Sequence, residues 1–228
     1  VDLTIFQPLS DSLLQVGRHI LLDLPGFGET GRPEAVWGTE TYAEFIYTFL
    51  KDRGINRCYL VGHSFGGRIA IQCAHRHPDF VKGLILIASA GLKKKIPWQK
   101  KMKIRSIRFF ARSAQRLVPG QTGKKIKDSL FNKIASKDYK EAGKMRPIFV
   151  KVVNEDLSPI LPNLKPHALL IWGAEDTDTP PSMGKQMREL IPENKYIELP
   201  GFDHFTILSR AKHQVSFQIR QFIRGIIE

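Results

Sequence analysis

Cys58-Tyr-Leu-Val-Gly-His-Ser64-Phe-Gly-Gly-Arg-Ile-Ala-Ile-Gln-Cys-Ala74 decides how this 228-residue chain is read. The first four residues form an apolar run of strand length, and Arg68–Ala74 continue as a helix. Between them, Gly62-His-Ser64-Phe-Gly66 is a G-x-S-x-G, the pattern that seats a serine on a sharp strand-to-helix turn. The requirement is steric. A side chain held at such a turn takes strained dihedrals, and only small residues two positions to either side avoid clashes; Gly62 and Gly66 occupy those positions. The turn would lift the Ser64 hydroxyl above the sheet. It would also leave the Phe65 N–H at a helix N-terminus, where it can stabilise an oxyanion.

Outward from this stretch, short apolar runs alternate with longer amphipathic ones. That is the α/β pattern, with a mostly parallel sheet buried on both faces. The spacing predicts about five strands, at His19–Asp23, Cys58–Val61, Gly83–Ala88, Ala168–Trp172 and Lys195–Leu199. Thr41-Tyr-Ala-Glu44 reads as a capping box opening a helix through Tyr42, Phe45, Ile46, Phe49 and Leu50, which Gly54 can end. Val215, Ile219, Phe222, Ile223 and Ile226 predict a helix near the C-terminus.

Composition sets the outer limits. Hydrophobic residues at 42% and charged residues at 25% exclude wholesale disorder. No apolar run approaches the ~18 residues of a membrane span. Two cysteines, Cys58 and Cys73, are too few for a disulfide framework or a four-ligand zinc site, which points to a reduced, cytoplasmic setting. The net charge of +13 is unevenly spread: residues 92–151 hold 19 Lys/Arg against three acids, net +16, and the remainder is net −3.

In that basic block the strand signal vanishes. Ile104, Ile107, Phe110, Ala114 and Leu117 predict one helix face, with Lys101, Arg105, Arg108, Arg112 and Arg116 on another. Further helices are expected over Ile126–Ile134 and Ile148–Val153. The organisation is therefore a core over residues 1–91, a basic helical cap over 92–165 inserted after the third readable strand, and the rest of the core over 166–228. The basic face reads as a solvated lid, or as a lid attracting anionic substrates or an anionic membrane surface, where Trp98, Phe109 and Phe110 suit the headgroup boundary. Nucleic acid is not expected, because no reading motif accompanies the charge.

A serine needs a base, itself oriented by a carboxylate. His204, in Pro200-Gly-Phe-Asp-His-Phe205, follows the last strand and can reach back over the sheet edge. His19, His75, His77, His167 and His213 border strands or sit on helices and read as packed or solvated. A metal pair at His75 and His77 is rejected, since residues two apart face different sides of a helix. For the acid, Glu175, Asp176 and Asp178 compete in Trp172-Gly-Ala-Glu-Asp-Thr-Asp-Thr-Pro180, and spacing does not choose among them. Gly26-Phe-Gly-Glu-Thr-Gly31 is literally a dinucleotide fingerprint, but Arg32-Pro33 follows where that motif must open a helix, so no nucleotide site is expected.

Taken together these segments resemble the α/β-hydrolase superfamily, in the branch with a helical cap between the sixth and seventh strands. The matching pieces are Asp23-Leu-Pro-Gly-Phe-Gly28 with Thr30-Gly-Arg-Pro33, Gly62-His-Ser-Phe-Gly-Gly67, Ile171-Trp-Gly-Ala-Glu-Asp176 with Pro180, and Gly201-Phe-Asp-His-Phe205. The resemblance implies the α/β-hydrolase fold, with Asp176 as the acid of a Ser64–His204–Asp176 triad. It argues against haloalkane dehalogenases and epoxide hydrolases, whose nucleophile is an aspartate where Ser64 stands. The implied activity is hydrolysis of ester, thioester or related acyl bonds in a small-molecule substrate through an acyl-enzyme, with no cofactor and no metal. Phe27, His63 and Phe205, beside these motifs, are expected to contact substrate. The competing class is a non-catalytic hydrolase-like protein whose basic cap binds an anionic partner.

The chain departs from the family in lacking a His-Gly dipeptide, which there donates a second oxyanion N–H, and the strands before His19–Asp23. It reads as a fragment beginning just after that loop. Losing one oxyanion donor typically costs ~10²–10³ in turnover, so weak activity is expected of the chain as given.

Overall fold

The apolar runs around residues 84 and 169 become the two central strands of a four-stranded, wholly parallel sheet. The computed structural model describes residues 2–93, 102 and 143–227. In chain order the strands are β1 (Cys58–His63), β2 (Val81–Ile87), β3 (Ala168–Gly173) and β4 (Asn194–Leu199), and they lie side by side in that same order. The helices are α1 (Gln7–Asp11), α2 (Thr39–Lys51), α3 (Phe65–Arg76), α4 (Arg146–Asn154), α5 (Pro181–Leu190), α6 (Thr206–Ser209) and α7 (Lys212–Ile227).

Period-two alternation assigns each central side chain to a layer. Leu84, Leu86, Leu170 and Trp172 pack on one face against Ile71 and Ala74 of α3 and Met183 and Met187 of α5. Ile85, Ile87, Leu169 and Ile171 pack on the other against Leu9 of α1, Ile207 of α6 and Val215 and Ile219 of α7. A strand covered on both sides has no polar face to alternate, which is why β2 and β3 read as unbroken apolar runs. Leu84 to Ile87 and Leu169 to Trp172 are fully buried, so each truncation to alanine would cost about 2–5 kcal/mol.

The register brings the functional strand ends together. Val61 pairs with Ile85 and His63 with Ile87, while Ile87 pairs with Ile171. The C-terminal ends of β1, β2 and β3 therefore finish side by side, and the loops leaving them share one edge of the sheet.

Two sequence expectations give way here. His19–Asp23 is not a strand: it is irregular, and among the described residues no segment pairs with it. An apolar run supplies side chains for a sheet, but a ladder needs a neighbour on the hydrogen-bonding edge. The sheet accordingly has four strands among the described residues, where five were expected. The capping box at Thr41–Glu44 is also replaced. Helix α2 starts three residues earlier, with Gly38 in place of Thr41 as the N-cap and Thr39 as its first residue. The Thr39 N–H donates to Glu155 Oε2 at 3.1 Å and the Thr39 hydroxyl donates to the same oxygen. A carboxylate from a distant part of the chain thus does what a local cap would have done. Gly54, at φ 71, ends the helix as expected, with Ile55 N–H returning to the Leu50 carbonyl at 3.1 Å.

The chain divides into two compact units, Val1–Leu92 with Lys151–Glu228, and Lys93–Val150. The helices expected around Lys101–Leu117 and Ile126–Ile134, with their basic stripe, lie outside the described residues, Met102 excepted. No helix among the described residues is long and apolar enough to cross a membrane.

Candidate active site

Ser64 sits between the end of β1 and the first turn of α3, with φ 50 and ψ −114. It and Ala88 are the two non-glycine residues of positive φ among those described, and strain of this kind, of order 1–3 kcal/mol, persists only where the surroundings impose it. Here they do. Ser64 N–H donates to the Ile87 carbonyl at 3.4 Å, and the Ser64 carbonyl accepts from Gly67 and Ala90 N–H, both at 3.1 Å. The elbow is stitched to the end of β2 on one side and to its own helix on the other.

The glycines divide the steric load differently from the sequence expectation. A Cβ on Gly62 would fall 2.7 Å from the Gly66 carbonyl oxygen and the Gly67 Cα, so this position demands glycine. A Cβ on Gly66 would meet nothing within 4 Å among the described residues, whereas one on Gly67 would fall 2.0 Å from Ser89 Oγ. The second crowded position is therefore Gly67, because the loop after β2 crosses α3 there and not one residue earlier.

His204 lies in the turn after β4, immediately before α6, and is 6% exposed. Its Nδ1–H donates to Asp176 Oδ2 at 2.7 Å. Asp176 lies in the loop after β3 and is buried, while Glu175 and Asp178 are exposed. The other oxygen, Oδ1, accepts backbone N–H from Asp178 and Thr179, both at 2.8 Å. Burial alone would raise the pKa of this carboxyl; the His204 hydrogen bond and charge, with the N–H and hydroxyl of Thr179, outweigh it and hold the pKa below the ordinary value. The group is an anion fixed in one orientation against the imidazole. The acid and base loops are joined directly as well, through Glu175 N–H to the Phe202 carbonyl at 3.1 Å.

The base and the elbow are linked by His63. Its Nε2–H donates to the backbone carbonyl of His204 at 2.8 Å, and the two rings lie 4.6 Å apart. Burial, reinforced by the neighbouring His204 charge, pushes the His63 imidazole down to about 4, so the ring is neutral near pH 7. The Ser64 hydroxyl makes no hydrogen bond among the described residues.

Phe65 is the first residue of α3, so its N–H has no partner within the helix and is free to meet an anion. Its ring packs on Phe27 at 5.0 Å and on Tyr42 at 5.7 Å. Tyr42 donates its hydroxyl to the Pro25 carbonyl at 2.8 Å, tying the loop that carries Phe27 over the first turn of α3. That loop, Leu24–Thr30, closes on itself as turns, with Phe27 N–H to the Leu24 carbonyl at 2.8 Å and Thr30 N–H to the Phe27 carbonyl at 3.0 Å, and the next helix begins only at Thr39. Phe205 is 57% exposed and stands edge-on to His204, 5.1 Å between ring centres. Of the three residues expected to contact substrate, Phe27 and Phe205 flank the elbow and the base, and His63 spends its ring nitrogen on the His204 loop. Thr179 and the His63 bond were not anticipated; a threonine inside an Asp-x-x-x-Pro loop carries no signal in spacing alone.

Comparison with known proteins bears on the fold. A family model described as the alpha/beta hydrolase fold matches residues 3–118. The dihydrolipoyllysine-residue acetyltransferase component of an acetoin cleaving system from Pseudomonas putida is 29% identical over 220 residues, which is 91% of this chain and 56% of that protein. The chain thus spans little more than half the length of that relative. An uncharacterized hydrolase of Bacillus subtilis is 26% identical over 223 residues, 90% of this chain and 80% of its own. Among solved structures, a membrane phospholipase A described as a bacterial virulence factor superposes with a TM-score of 0.73 at 24% identity, over 100% of this chain and 76% of that one. A thermophilic esterase from Thermogutta terrifontis gives 0.68 at 21% identity, over 99% and 86%.

Proposed function

Since the chain belongs to the α/β-hydrolase fold family, we propose that it is a serine hydrolase of ester, thioester or related acyl bonds, with Ser64 as nucleophile, His204 as base and Asp176 as the acid that orients the base. The reading is carried by one observation: a buried His204–Asp176 pair, 2.7 Å apart, in a loop hydrogen-bonded to the residue before a serine held at φ 50.

Each residue has a step. His204 Nε2 takes the Ser64 proton as Oγ attacks the substrate carbonyl, and Asp176 keeps Nδ1 protonated so that Nε2 is the free base. The carbonyl oxygen, now negative, meets the Phe65 N–H and the positive end of α3. Collapse of the tetrahedral adduct expels the alcohol or thiol, which takes the proton back from His204. Water then repeats the sequence on the acyl-enzyme and restores Ser64. Phe27 and Phe205 are assigned to the acyl group, as apolar rings to either side of the reacting centre.

The deciding experiment is intact-mass analysis after treatment with a fluorophosphonate, on this chain and on Ser64→Ala. A single adduct absent from the variant is expected. No adduct on a chain shown folded by circular dichroism would overturn the assignment. A second reading, binding of an anionic membrane surface through the cap, draws on the net +16 of residues 92–151. Salt-sensitive binding to anionic vesicles, lost on reversing Arg105, Arg108 and Arg112, is its test.

A further inference from the structure

Three hydrogen-bonding groups converge on one buried hydroxyl. Thr179 lies in the loop between β3 and α5 and is 4% exposed. Its Oγ1 is 2.8 Å from the Ala88 carbonyl, 2.9 Å from Asp176 Oδ2 and 3.2 Å from His204 Nδ1. The backbone of the same residue does something separate: its N–H donates to Asp176 Oδ1 at 2.8 Å, and its carbonyl accepts Trp172 Nε1–H at 2.9 Å. Any non-proline residue could make those two bonds. Only a hydroxyl makes the first set.

A hydroxyl carries one proton. The Ala88 carbonyl and the Asp176 carboxylate both accept, so the proton serves one at a time, and the charged acceptor makes the stronger bond. With the proton on Asp176, both carboxylate oxygens are doubly engaged: Oδ1 by the Asp178 and Thr179 N–H groups, Oδ2 by the Thr179 hydroxyl and His204 Nδ1–H. The terminal torsion of an aspartate is broad, so pinning both oxygens is what fixes the plane of the carboxylate. A lone pair of Thr179 Oγ1 at the same time faces His204 Nδ1–H as a weaker second acceptor. The Ala88 carbonyl, 2.8 Å away, is the alternative acceptor, which takes the same proton only when it leaves Asp176. Ala88 follows β2 at φ 43, next to Ile87, whose carbonyl accepts the Ser64 N–H.

We infer that Thr179 is a positioning residue of this site, its hydroxyl fixing the Asp176 carboxylate and, through it, the His204 imidazole. The inference rests on the Ser64–His204–Asp176 reading and adds a fourth side chain to it.

Thr179→Val keeps the shape and both backbone bonds and removes only the hydroxyl, and Thr179→Ser restores it. For an activated acyl ester, kcat is expected to fall roughly tenfold in the valine variant with little change in KM, and to recover in the serine variant. A second readout does not need turnover: the far-downfield proton signal of His204 Nδ1–H, assigned by its loss in His204→Gln. That signal is expected to move or broaden in Thr179→Val and to return in Thr179→Ser. Should the valine variant misfold, Thr179→Ala serves in its place. If the folded chain takes no fluorophosphonate, the nucleophile assignment fails by itself, and the His204 signal alone then decides for or against Thr179. An unmoved signal in a folded variant, or an unchanged kcat in an active one, would overturn the inference.

Discussion

His63 and His204, 141 positions apart in sequence, are joined by a 2.8 Å hydrogen bond from the ring of the first to the backbone carbonyl of the second. The residue that precedes the nucleophile therefore holds the chain at the base. The bond uses the neutral ring of His63 as donor and leaves the His204 side chain free to face its carboxylate.

This arrangement makes stability depend on pH in a defined window. Unfolded, His63 protonates near 6.5; folded, it resists protonation down to about 4. Between these values the unfolded chain binds more protons, so stability is lost as pH falls through the window. One pKa unit is worth about 1.4 kcal/mol, so the total is at most about 3 kcal/mol. Urea midpoints at several pH values between 4 and 7 should fall less steeply for His63→Gln than for the native chain. Parallel slopes would show that His63 does not resist protonation.

The acid can be separated from its neighbours. Asp176→Asn leaves an amide that no longer selects the Nδ1–H tautomer of His204, and kcat should drop by about 10³–10⁴. Glu175→Gln and Asp178→Asn change exposed side chains and should leave kcat/KM within about twofold, since surface substitutions are worth about 0.5 kcal/mol or less. Steady-state rates on one activated ester suffice; a large loss at Glu175 or Asp178 instead would reassign the acid.

Gly62→Ala and Gly66→Ala give the corresponding test at the elbow. The first forces a methyl against backbone atoms at 2.7 Å, while the second, on a helix, meets nothing within 4 Å among the described residues. Thermal melting should show a loss of several kcal/mol for Gly62→Ala. Gly66→Ala should be neutral, or stabilising by up to about 1 kcal/mol from helix propensity. Gly67→Ala, aimed at Ser89, should resemble Gly62→Ala. Equal losses at Gly62 and Gly66 would contradict the packing described.

How far the sequence could be read follows the range of the interactions involved. β2 and β3 were legible because burial on both faces writes itself into consecutive residues such as Leu84–Ile87. The elbow was legible because its steric demand falls within a few residues of Ser64. What spacing could not decide depended on remote partners. His19–Asp23 has a strand's composition but no neighbour to pair with. Thr41 has a cap's chemistry, yet Glu155 supplies the acceptor and moves the helix start to Thr39. Asp176 was singled out only by family resemblance, because its distinction from Glu175 and Asp178 lies in which side chain turns inward. Gly67 escaped notice since its crowding comes from Ser89, on a different strand's loop.

Arg68 supplies the last test, because it is a buried cation without a buried anion against it among the described residues. Its side chain is nearly covered, and Nη1 and Nη2 donate to the backbone carbonyls of Glu155 and Val153 at 2.8 and 3.3 Å, while Nε has no hydrogen-bond partner among the described residues. Burial accordingly lowers its pKa, against the opposing pull of Glu155 and Asp156. Two terms compete on substitution. Arg68→Met removes the cost of desolvating a cation, which often makes such a swap nearly neutral, but strands two carbonyls at about 1–3 kcal/mol each. The carbonyls should win, because methionine fills the volume but offers no donor, giving a net loss of about 2 kcal/mol. Glu155→Ala, which uncaps Thr39 on the same segment, should cost about 1 kcal/mol. The double variant should lose less than the sum of the two single losses, since both bonds hold the one stretch of chain at residues 153–155. Strict additivity in a urea-denaturation cycle would show that Arg68 and Glu155 act on independent parts of the fold.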